Sequence, residues 1–230
     1  SRTSAGNNAQ VSLLNYQMDI AGISRITVSD SQEVDLYPRG GRITVNEGMD
    51  FDFDGRINAG LFSYWGQDYS FDYDYFKIDM PQLDSMRFKV KEFNHKPGEL
   101  AALVNVQTVL QDWQGQLLID QPDNKSSKEY HPEYPIFQAL NNSFVYYDHP
   151  RIHGGVYERS NFYMALEPFT IDSLGNTTTD GILFDATFHS ADIFPVFAQP
   201  LSVMRDYSLG FKTKMPPTPV YKASGTYTGT

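Results

Sequence analysis

Three aspartates at alternating positions, Asp50, Asp52 and Asp54, precede Gly55 and have the spacing of a metal-binding loop. Such a run begins the calcium loop of EF-hand proteins, in which carboxylate oxygens converge on a hard cation. The twelfth position of that loop should be a bidentate glutamate, but here it is Leu61. The favoured alternative is the acidic outer face of a strand that ends at a glycine turn. We therefore expect no cofactor, with calcium at these three aspartates as the one candidate.

Aromatic residues alternate with aspartates between residues 64 and 75, and this pattern suggests a second kind of site. A flat ring can stack on a sugar ring, while a carboxylate accepts hydrogen bonds from sugar hydroxyls. The candidate ligand-binding residues are Tyr64, Trp65, Tyr69, Asp72, Tyr73, Asp74 and Tyr75, with Asp68 and Trp113 as further members of the platform. The alternative is that these rings fill the core or cover sheet edges, which is usual for aromatic residues in β proteins. Exposure is favoured most at Trp65, because Tyr64-Trp65-Gly66 has the composition of a turn.

A cluster of histidines and acids between residues 148 and 158 also has metal-ligating side chains. Its members are Asp148, His149, His153 and Glu158. The spacing of the two histidines suits zinc only on a helix, and Pro150 makes a helix there unfavourable. A pair of loop histidines is the preferred interpretation. The sequence contains no nucleophile elbow and no phosphate-binding glycine loop, so a hydrolase ranks third among the functional hypotheses.

The charge balance of the chain limits the classes of partner that it can bind. Of 230 residues, 28 are acidic and 18 are basic, which gives a formal net charge of -10. This balance disfavours nucleic acid, which is bound by clustered lysine and arginine. Arg87, Lys89 and Lys91 do alternate along one segment, but their spacing is typical of the solvated face of a strand. The chain has no cysteine and no apolar run of the ~20 residues that a membrane helix needs.

Period-two alternation of apolar and polar residues, separated by turn residues, predicts an all-β fold with little helix. The alternation changes faces at Tyr75 and Phe76, which predicts a bend there. Between Gly98 and Gly115 the pattern fits a helix nearly as well as a strand, and the valine and threonine content favours the strand. A short helical turn is expected from Pro135 to Leu140, after a long loop from Pro122 to Pro135.

Short phrases recur along the chain. Ile57 to Phe62 is echoed by Ile152 to Tyr157, and Phe76-Lys77-Ile78-Asp79 by Phe169-Thr170-Ile171-Asp172. Recurrence of this kind predicts repetitive stacked β-units, either a β-solenoid or an elongated β-sandwich. We assign residues 1–215 to a single repetitive domain. Residues 216–230 are assigned to a proline-rich stretch and the start of a further unit.

Several of these segments are similar to those of very large, repetitive, β-rich envelope proteins of Gram-negative, Bacteroidetes-type bacteria. The segments are Phe53 to Gly60, Phe71 to Asp79, Gly155-Val156-Tyr157, Pro168 to Leu174, Ile193-Phe194-Pro195 and Asp206 to Phe211. The resemblance implies export to the periplasm or cell surface, and partners among adjacent units of the same protein or other envelope proteins. The first functional hypothesis is a non-enzymatic structural or interaction segment, and the alternative is a carbohydrate-binding β-module with an aromatic platform.

Overall fold

The computed structural model describes residues 8–93, 101–214, 220–222 and 225–227. About half of these residues lie in β-strands, and the central strands pair antiparallel in one large sheet. The prediction of an all-β fold with little helix is confirmed. Helical structure in the described residues is limited to short 3-10 turns at Arg39–Gly41, Glu47–Met49, His153–Gly155 and Thr179–Gly181.

The strands of the first half are β1 (Ala9–Ser12), β2 (Gln17–Ala21), β3 (Ile26–Ser29), β4 (Val34–Pro38), β5 (Arg42–Val45), β6 (Phe51–Ala59), β7 (Phe62–Asp72) and β8 (Lys77–Lys91). Those that follow, up to residue 166, are β9 (Leu103–Asn105), β10 (Leu110–Leu118), β11 (Ile136–Ala139), β12 (Ser143–Tyr146) and β13 (Phe162–Leu166). The last are β14 (Thr170–Ile171), β15 (Leu183–Phe184), β16 (Ala186–Ser190), β17 (Phe197–Ala198), β18 (Leu201–Val203), β19 (Leu209–Gly210), β20 (Val220–Lys222) and β21 (Gly225–Tyr227).

Four long strands, β6, β7, β8 and β10, form the centre of the large sheet, and the sheet forks on both sides of them. One half of β6 pairs with β5 and the other half with β4. In the same way, β10 pairs with β12 at one end and with β11 at the other. The strands β15, β18 and β19 form a separate small sheet, and β20 pairs with β21.

Irregular pairing marks the middle of the central strands, where register shifts occur beside Gly55, Gly66 and Gly115. A Cβ atom at Gly55 would collide with the backbone oxygen of Tyr37, and one at Gly66 would collide with the backbone oxygen of Gln82. Bulges and glycines let a sheet bend sharply, because the extra residue increases the local twist and the missing side chain lets another backbone approach. The line of bulges therefore bends the sheet across its centre.

The inner face of the bent sheet carries the hydrophobic core. Along β6, buried and partly buried residues alternate at every position, as expected for a strand with one face in the core. Aromatic rings stack in its centre, with centroids 5.2 Å apart for Phe62 and Phe88 and 4.7 Å apart for Tyr64 and Phe137. One contiguous cluster of buried residues extends from Val34 to Leu209.

Three segments whose local structure was predicted from the sequence are described by the structure. The bend at Tyr75 and Phe76 is confirmed as the tight turn between β7 and β8, in which Phe76 has a φ of 50°. The strand interpretation of the segment after Gly98 is confirmed by β9 and β10, although residues 98–100 lie outside the described part. The helical turn at Pro135 to Leu140 is wrong: this segment forms β11, because its backbone pairs with both β10 and β14.

The first pair of recurrent phrases adopts two different structures, and repetitive stacking of β-units stays a prediction. Ile57 to Phe62 is the tip of the β6–β7 hairpin, whereas Ile152 to Tyr157 is a loop that contains a 3-10 turn. The similarity of the two phrases therefore reflects turn chemistry, since a glycine with a positive φ precedes an apolar residue in both: Gly60 (54°) before Leu61 and Gly155 (75°) before Val156. Of the assigned stretch 216–230, residues 216–219, 223, 224 and 228–230 lie outside the described residues. None of the helical segments in the described part of the chain is long and apolar enough to cross a membrane.

Candidate functional site: a groove on the outer sheet face

The aromatic platform predicted between residues 64 and 75 is not one surface. Tyr64 and Tyr69 have no exposed surface, and Trp113 is 3% exposed, so these three rings belong to the core. Tyr64 and Tyr69 differ in parity along β7 and still face the same side, because Gln67 and Asp68 form a bulge between them. Asp68 has a φ of 56°, which accommodates the added residue. The assignment of Tyr64, Tyr69 and Trp113 to a ligand platform is therefore wrong.

The members from Asp72 to Tyr75 lie at the β7–β8 turn, roughly 20 Å along the strand from Trp65. An Asp72 carboxylate oxygen accepts a hydrogen bond from the backbone N–H of Tyr75 at 3.0 Å, which stabilises the turn. Tyr73 is partly buried against the core, while Asp74 is exposed and Tyr75 is 67% exposed. This group stabilises a hairpin and does not share a surface with Trp65.

The three aspartates of the suggested calcium loop are spread along one strand. Asp50 precedes β6, and Asp52 and Asp54 lie within it, so the set extends over roughly 13 Å. Calcium needs oxygens at about 2.3–2.6 Å from one point, which this spacing does not allow for all three residues. Their carboxylates accept hydrogen bonds from Tyr73 N–H at 2.8 Å, the Asn46 amide at 2.7 Å and Asp68 N–H at 2.9 Å, respectively.

The strand also continues through Gly55 instead of ending there. Within the described residues, no group of three or more acidic or histidine side chains is placed to hold a metal ion. The aspartates therefore connect β6 to its neighbours, and the structure does not bring them together as a cation site.

Trp65 is the platform residue that lies on the outer face of the sheet. It pairs with Arg56 of β6 on one side and with Ser85 of β8 on the other. Side chains directly opposite on antiparallel strands point to the same face. The register continues this outward row across the sheet, in the order Tyr37, Arg56, Trp65, Ser85, Gln111 and Phe144.

A groove of about 970 Å³ runs along this face and is lined by Trp65; we call it the outer-face groove. One wall comes from β7 and β8, the second from the β9–β10 segment, and the third from β12 and the loop that follows it. Its polar and aromatic lining residues include Ser63, Trp65, Arg87, Lys89, Asn105, Gln107, Gln111, Tyr146, Tyr147, Asp148, His149, Arg151 and Arg159. The volume is within the ~300–1,000 Å³ of ligand pockets.

Arg159 holds one end of the groove together. Its Nε donates to the carboxylate of Asp148 at 2.9 Å, and one terminal nitrogen donates to the side-chain oxygen of Gln111 at 3.1 Å. The other terminal nitrogen lies 3.6 Å from Asp112. Its guanidinium carbon is 4.1 Å from the ring centroid of Tyr146, a stacked cation–π geometry. Arg159 thereby fixes the Tyr146 ring against the strand.

Tyr146 remains protonated at neutral pH. Burial, reinforced by the Asp112 carboxylate that accepts its hydrogen bond, raises the pKa of Tyr146 to about 12. Burial also raises the pKa of Tyr147 to about 12. Both groove tyrosines are therefore neutral rings with a hydroxyl group.

A second depression of about 730 Å³ adjoins the groove and shares Tyr146, Asp148 and Arg159 with it. Phe144, Tyr146 and Tyr163 pack together here, with centroid distances of 5.7 Å and 5.8 Å from Phe144 to the other two rings. We call this depression the aromatic shelf. The groove and the shelf form one continuous recess on the outer sheet face.

The charge of the groove differs from that of the whole chain. Four of its lining residues are basic, Arg87, Lys89, Arg151 and Arg159, and one is acidic, Asp148. The complete sequence has the opposite balance, with 28 acidic residues against 18 basic ones. Basic side chains are therefore concentrated in the groove.

Sequence patterns singled out residues on two walls of this groove, but they indicated a solvated strand face and a candidate metal cluster there. Arg87 and Lys89 lie on the solvent-exposed face of β8, as expected, and this face lines the groove. Asp148 and His149, which were considered with a metal cluster, belong to the third wall, where His149 Nδ1 accepts a hydrogen bond from the Arg151 N–H at 3.1 Å. No local signal indicates that β8 and the β12–β13 loop meet, because their contact depends on the strand order.

A buried polar cluster lies apart from the groove, on the loop between β10 and β11. The Asp120 carboxylate is 2.7 Å from His131 Nδ1 and accepts hydrogen bonds from the amides of Gln32 at 3.2 Å and Asn124 at 2.9 Å. The Asp120 side chain is fully buried and the His131 side chain is 15% exposed. This cluster ties the long loop to the turn before β4.

Comparison with known proteins gives no relative from which a function could be transferred. No model of a known protein family matches the chain, and searches of curated proteins and of solved structures found no match either. The function is therefore inferred from the geometry of the outer-face groove.

Proposed function

We propose that this protein is a non-enzymatic glycan-binding β-module and that the outer-face groove is its binding site. The observation that carries the proposal is the position of Trp65, which lines a groove on the outer face of the large sheet. Tyr146 and Tyr147 line the same groove, and Ser63, Asn105 and Gln111 supply hydrogen-bonding groups between the rings. Aromatic rings with interspersed polar groups are suited to a sugar chain, which has apolar ring faces and hydroxylated edges.

The length of the recess favours a chain over a single sugar. The groove and the aromatic shelf meet at Tyr146, Asp148 and Arg159, and together they extend from β7 to β13. A ligand that followed this path would lie across the strands β8, β10 and β12 and contact rings at intervals. The four contacts of Arg159 hold the middle of the path in a fixed geometry before any ligand binds, which reduces the entropy lost on binding.

Replacement of Trp65 by alanine tests the proposal. Loss of the ring should weaken binding by about tenfold, since a stacked aromatic contributes ~0.5–1.5 kcal/mol beyond the burial of its area and ~1.4 kcal/mol is tenfold in affinity. The measurement is affinity electrophoresis against a panel of neutral and charged polysaccharides. Tyr75→Ala is the matched control, because Tyr75 is an exposed aromatic at the β7–β8 turn outside the groove.

A second variant, Asn105→Trp, fills the groove from β9, where Asn105 is exposed and pairs with Lys89 of β8, so no packed side chain is lost. It should abolish retention while the thermal unfolding transition stays unchanged. If the wild-type protein is retained by no polysaccharide, or if Trp65→Ala and Tyr75→Ala bind as well as wild type, glycan binding in this groove is refuted.

The remaining predictions concern the setting of the module. Export to the periplasm or cell surface, and membership in a larger envelope protein of stacked β-units, stay predictions based on the sequence resemblance. The strands β1 and β17 support them, because each ends the order of the large sheet and has a neighbour on one side within the described residues. An adjacent unit of a longer protein could pair with either edge.

A further inference from the structure

Three cations of the outer-face groove have no anionic partner. Arg87 and Lys89 project from β8, and Arg151 projects from the loop after β12. In the part of the chain that the structure describes, none of the three side chains makes an ion pair or a hydrogen bond. The groove's acid, Asp148, is already paired with Arg159 at 2.9 Å, so it does not neutralise them.

Of these cations, Arg87 lies close to the Trp65 ring. The guanidinium carbon of Arg87 lies 5.7 Å from the ring centroid of Trp65, and Lys89 follows on the same face of β8. A sugar ring on Trp65 would therefore have a guanidinium group and an ammonium group near its edge. Arg151 lines the same groove from the third wall.

Arginine binds planar carboxylates and sulfates through paired hydrogen bonds, and hydrogen bonds to an ion are stronger than those between neutral groups. A neutral sugar would leave the three cations without an anionic partner. An acidic chain such as a uronate polymer or a sulfated polysaccharide would give each of the three cations an anionic partner.

We infer that the outer-face groove selects anionic glycans, with Trp65 stacking on a sugar ring while Arg87, Lys89 and Arg151 bind its carboxylate or sulfate groups. The inference rests on the proposed function and adds the substrate class. Carboxylate and sulfate present the same chemistry to these side chains, namely oxygens that share a negative charge. The test therefore includes both.

The experiment compares charged and neutral versions of the same sugar backbone. The pairs are dextran sulfate against dextran, and polygalacturonate against its methyl ester, each titrated at about 0.1 M salt, where surface charges are already screened over ~10 Å. Wild type should bind at least one charged polymer about tenfold more tightly than its neutral partner. The double variant Arg87→Gln/Lys89→Gln should lose about tenfold in affinity for that polymer.

Lys91→Gln is the matched control. Lys91 is on the same strand but outside the groove, and its ammonium donates to the side-chain oxygen of Asn176 at 3.2 Å. Its substitution removes one positive charge, where the double variant removes two. The Lys91→Gln variant should bind the charged polymer with the affinity of wild type. If wild type binds charged and neutral polymers equally, or if Lys91→Gln weakens binding as much as the double variant, the inference is overturned.

The outcomes separate the two claims. Binding of a neutral polymer that is lost in Trp65→Ala, without preference for charge, refutes anionic selection and leaves the glycan-binding proposal standing. Poly(vinyl sulfate), which has charge but no sugar ring, tests the reverse case. If it binds as tightly as dextran sulfate and Trp65→Ala has no effect, attraction between charges explains the binding and both claims fail.

Discussion

At the scale of single residues, the buried Asp120–His131 pair should make stability depend on pH. The hydrogen bond to Asp120, with the negative charges of that carboxylate and of Glu133 and Glu129, raises the pKa of His131 above its ordinary value near 6.5, against the opposing effect of desolvation. A histidine with a raised pKa in the folded state contributes stability that is fully present below the unfolded pKa. This contribution should be lost as the pH rises through the folded pKa of His131.

NMR titration measures the pKa of His131, and urea unfolding between pH 5 and about 9 measures how the free energy of unfolding depends on pH. Asp120→Asn removes the carboxylate and should lower the pKa of His131 and abolish this part of the pH dependence. Asp123→Asn, an exposed acid on the same loop, serves as the control and should leave the pKa of His131 raised. A wild-type pKa at or below 6.5 would contradict the assignment of the pair.

Residue types indicated part of the candidate site before its geometry was known. The aromatic and acidic stretch included Trp65, and the turn-like neighbourhood favoured exposure of that ring. The burial of Tyr69 was not predictable from alternation, because the bulge at Gln67 and Asp68 changes the face of every residue after it. Arg151 and Arg159 carry no local signal, since their role depends on which strands become neighbours.

At the scale of elements, the bulges in the central strands should be sensitive to any side chain at their glycines. A Cβ atom at Gly66 would overlap the backbone oxygen of Gln82 and lie 2.6 Å from the hydroxyl oxygen of Tyr69. Both atoms belong to the packed centre of the sheet, so neither can move freely. Gly66→Ala should therefore lower the free energy of unfolding by about 1–3 kcal/mol, measured by urea denaturation.

Gly175→Ala provides the comparison, because the nearest atom to an added Cβ there is a side-chain oxygen of Glu33 at 3.9 Å. This substitution should change stability by less than about 0.5 kcal/mol. Equal stability of the two variants would mean that the bend does not depend on close approach of the backbone at Gly66.

The elements themselves were more predictable than their arrangement. Alternation identifies the start of β6, from Phe51 to Asp54, and the part of β8 from Met86 to Val90, because each has one face in the core. The turn predicted at Tyr64-Trp65-Gly66 is wrong, since these residues lie inside β7. Alternation does not identify the forks, at which β6 pairs with β4 and β5, and β10 pairs with β11 and β12. These pairings depend on contacts between distant segments of the chain. The helical turn predicted at Pro135 to Leu140 failed for the same reason: β11 acquires its extended form from pairing on both sides.

At the scale of the whole molecule, a continuous path of aromatic rings connects the large sheet to the small one. The path passes through Phe62, Tyr64, Phe137, Phe169 and Phe184. Its successive centroids are 6.4, 4.7, 6.0 and 4.7 Å apart, so each ring packs against the next. A shared core of this kind should unfold as one cooperative unit, as the assignment of residues 1–215 to a single domain predicts.

Calorimetry of two variants at opposite ends of the path tests this expectation. Phe62→Ala in β7 and Phe184→Ala in β15 each remove a buried ring and should destabilise the protein by about 3–5 kcal/mol. Both should move one single transition to lower temperature, by about 2–4 °C per kcal/mol for a chain of this length. Tyr75→Ala removes an exposed ring and should leave the transition in place. Two separate transitions, with each variant affecting a different one, would show that the sheets fold independently and that the ring path does not couple them.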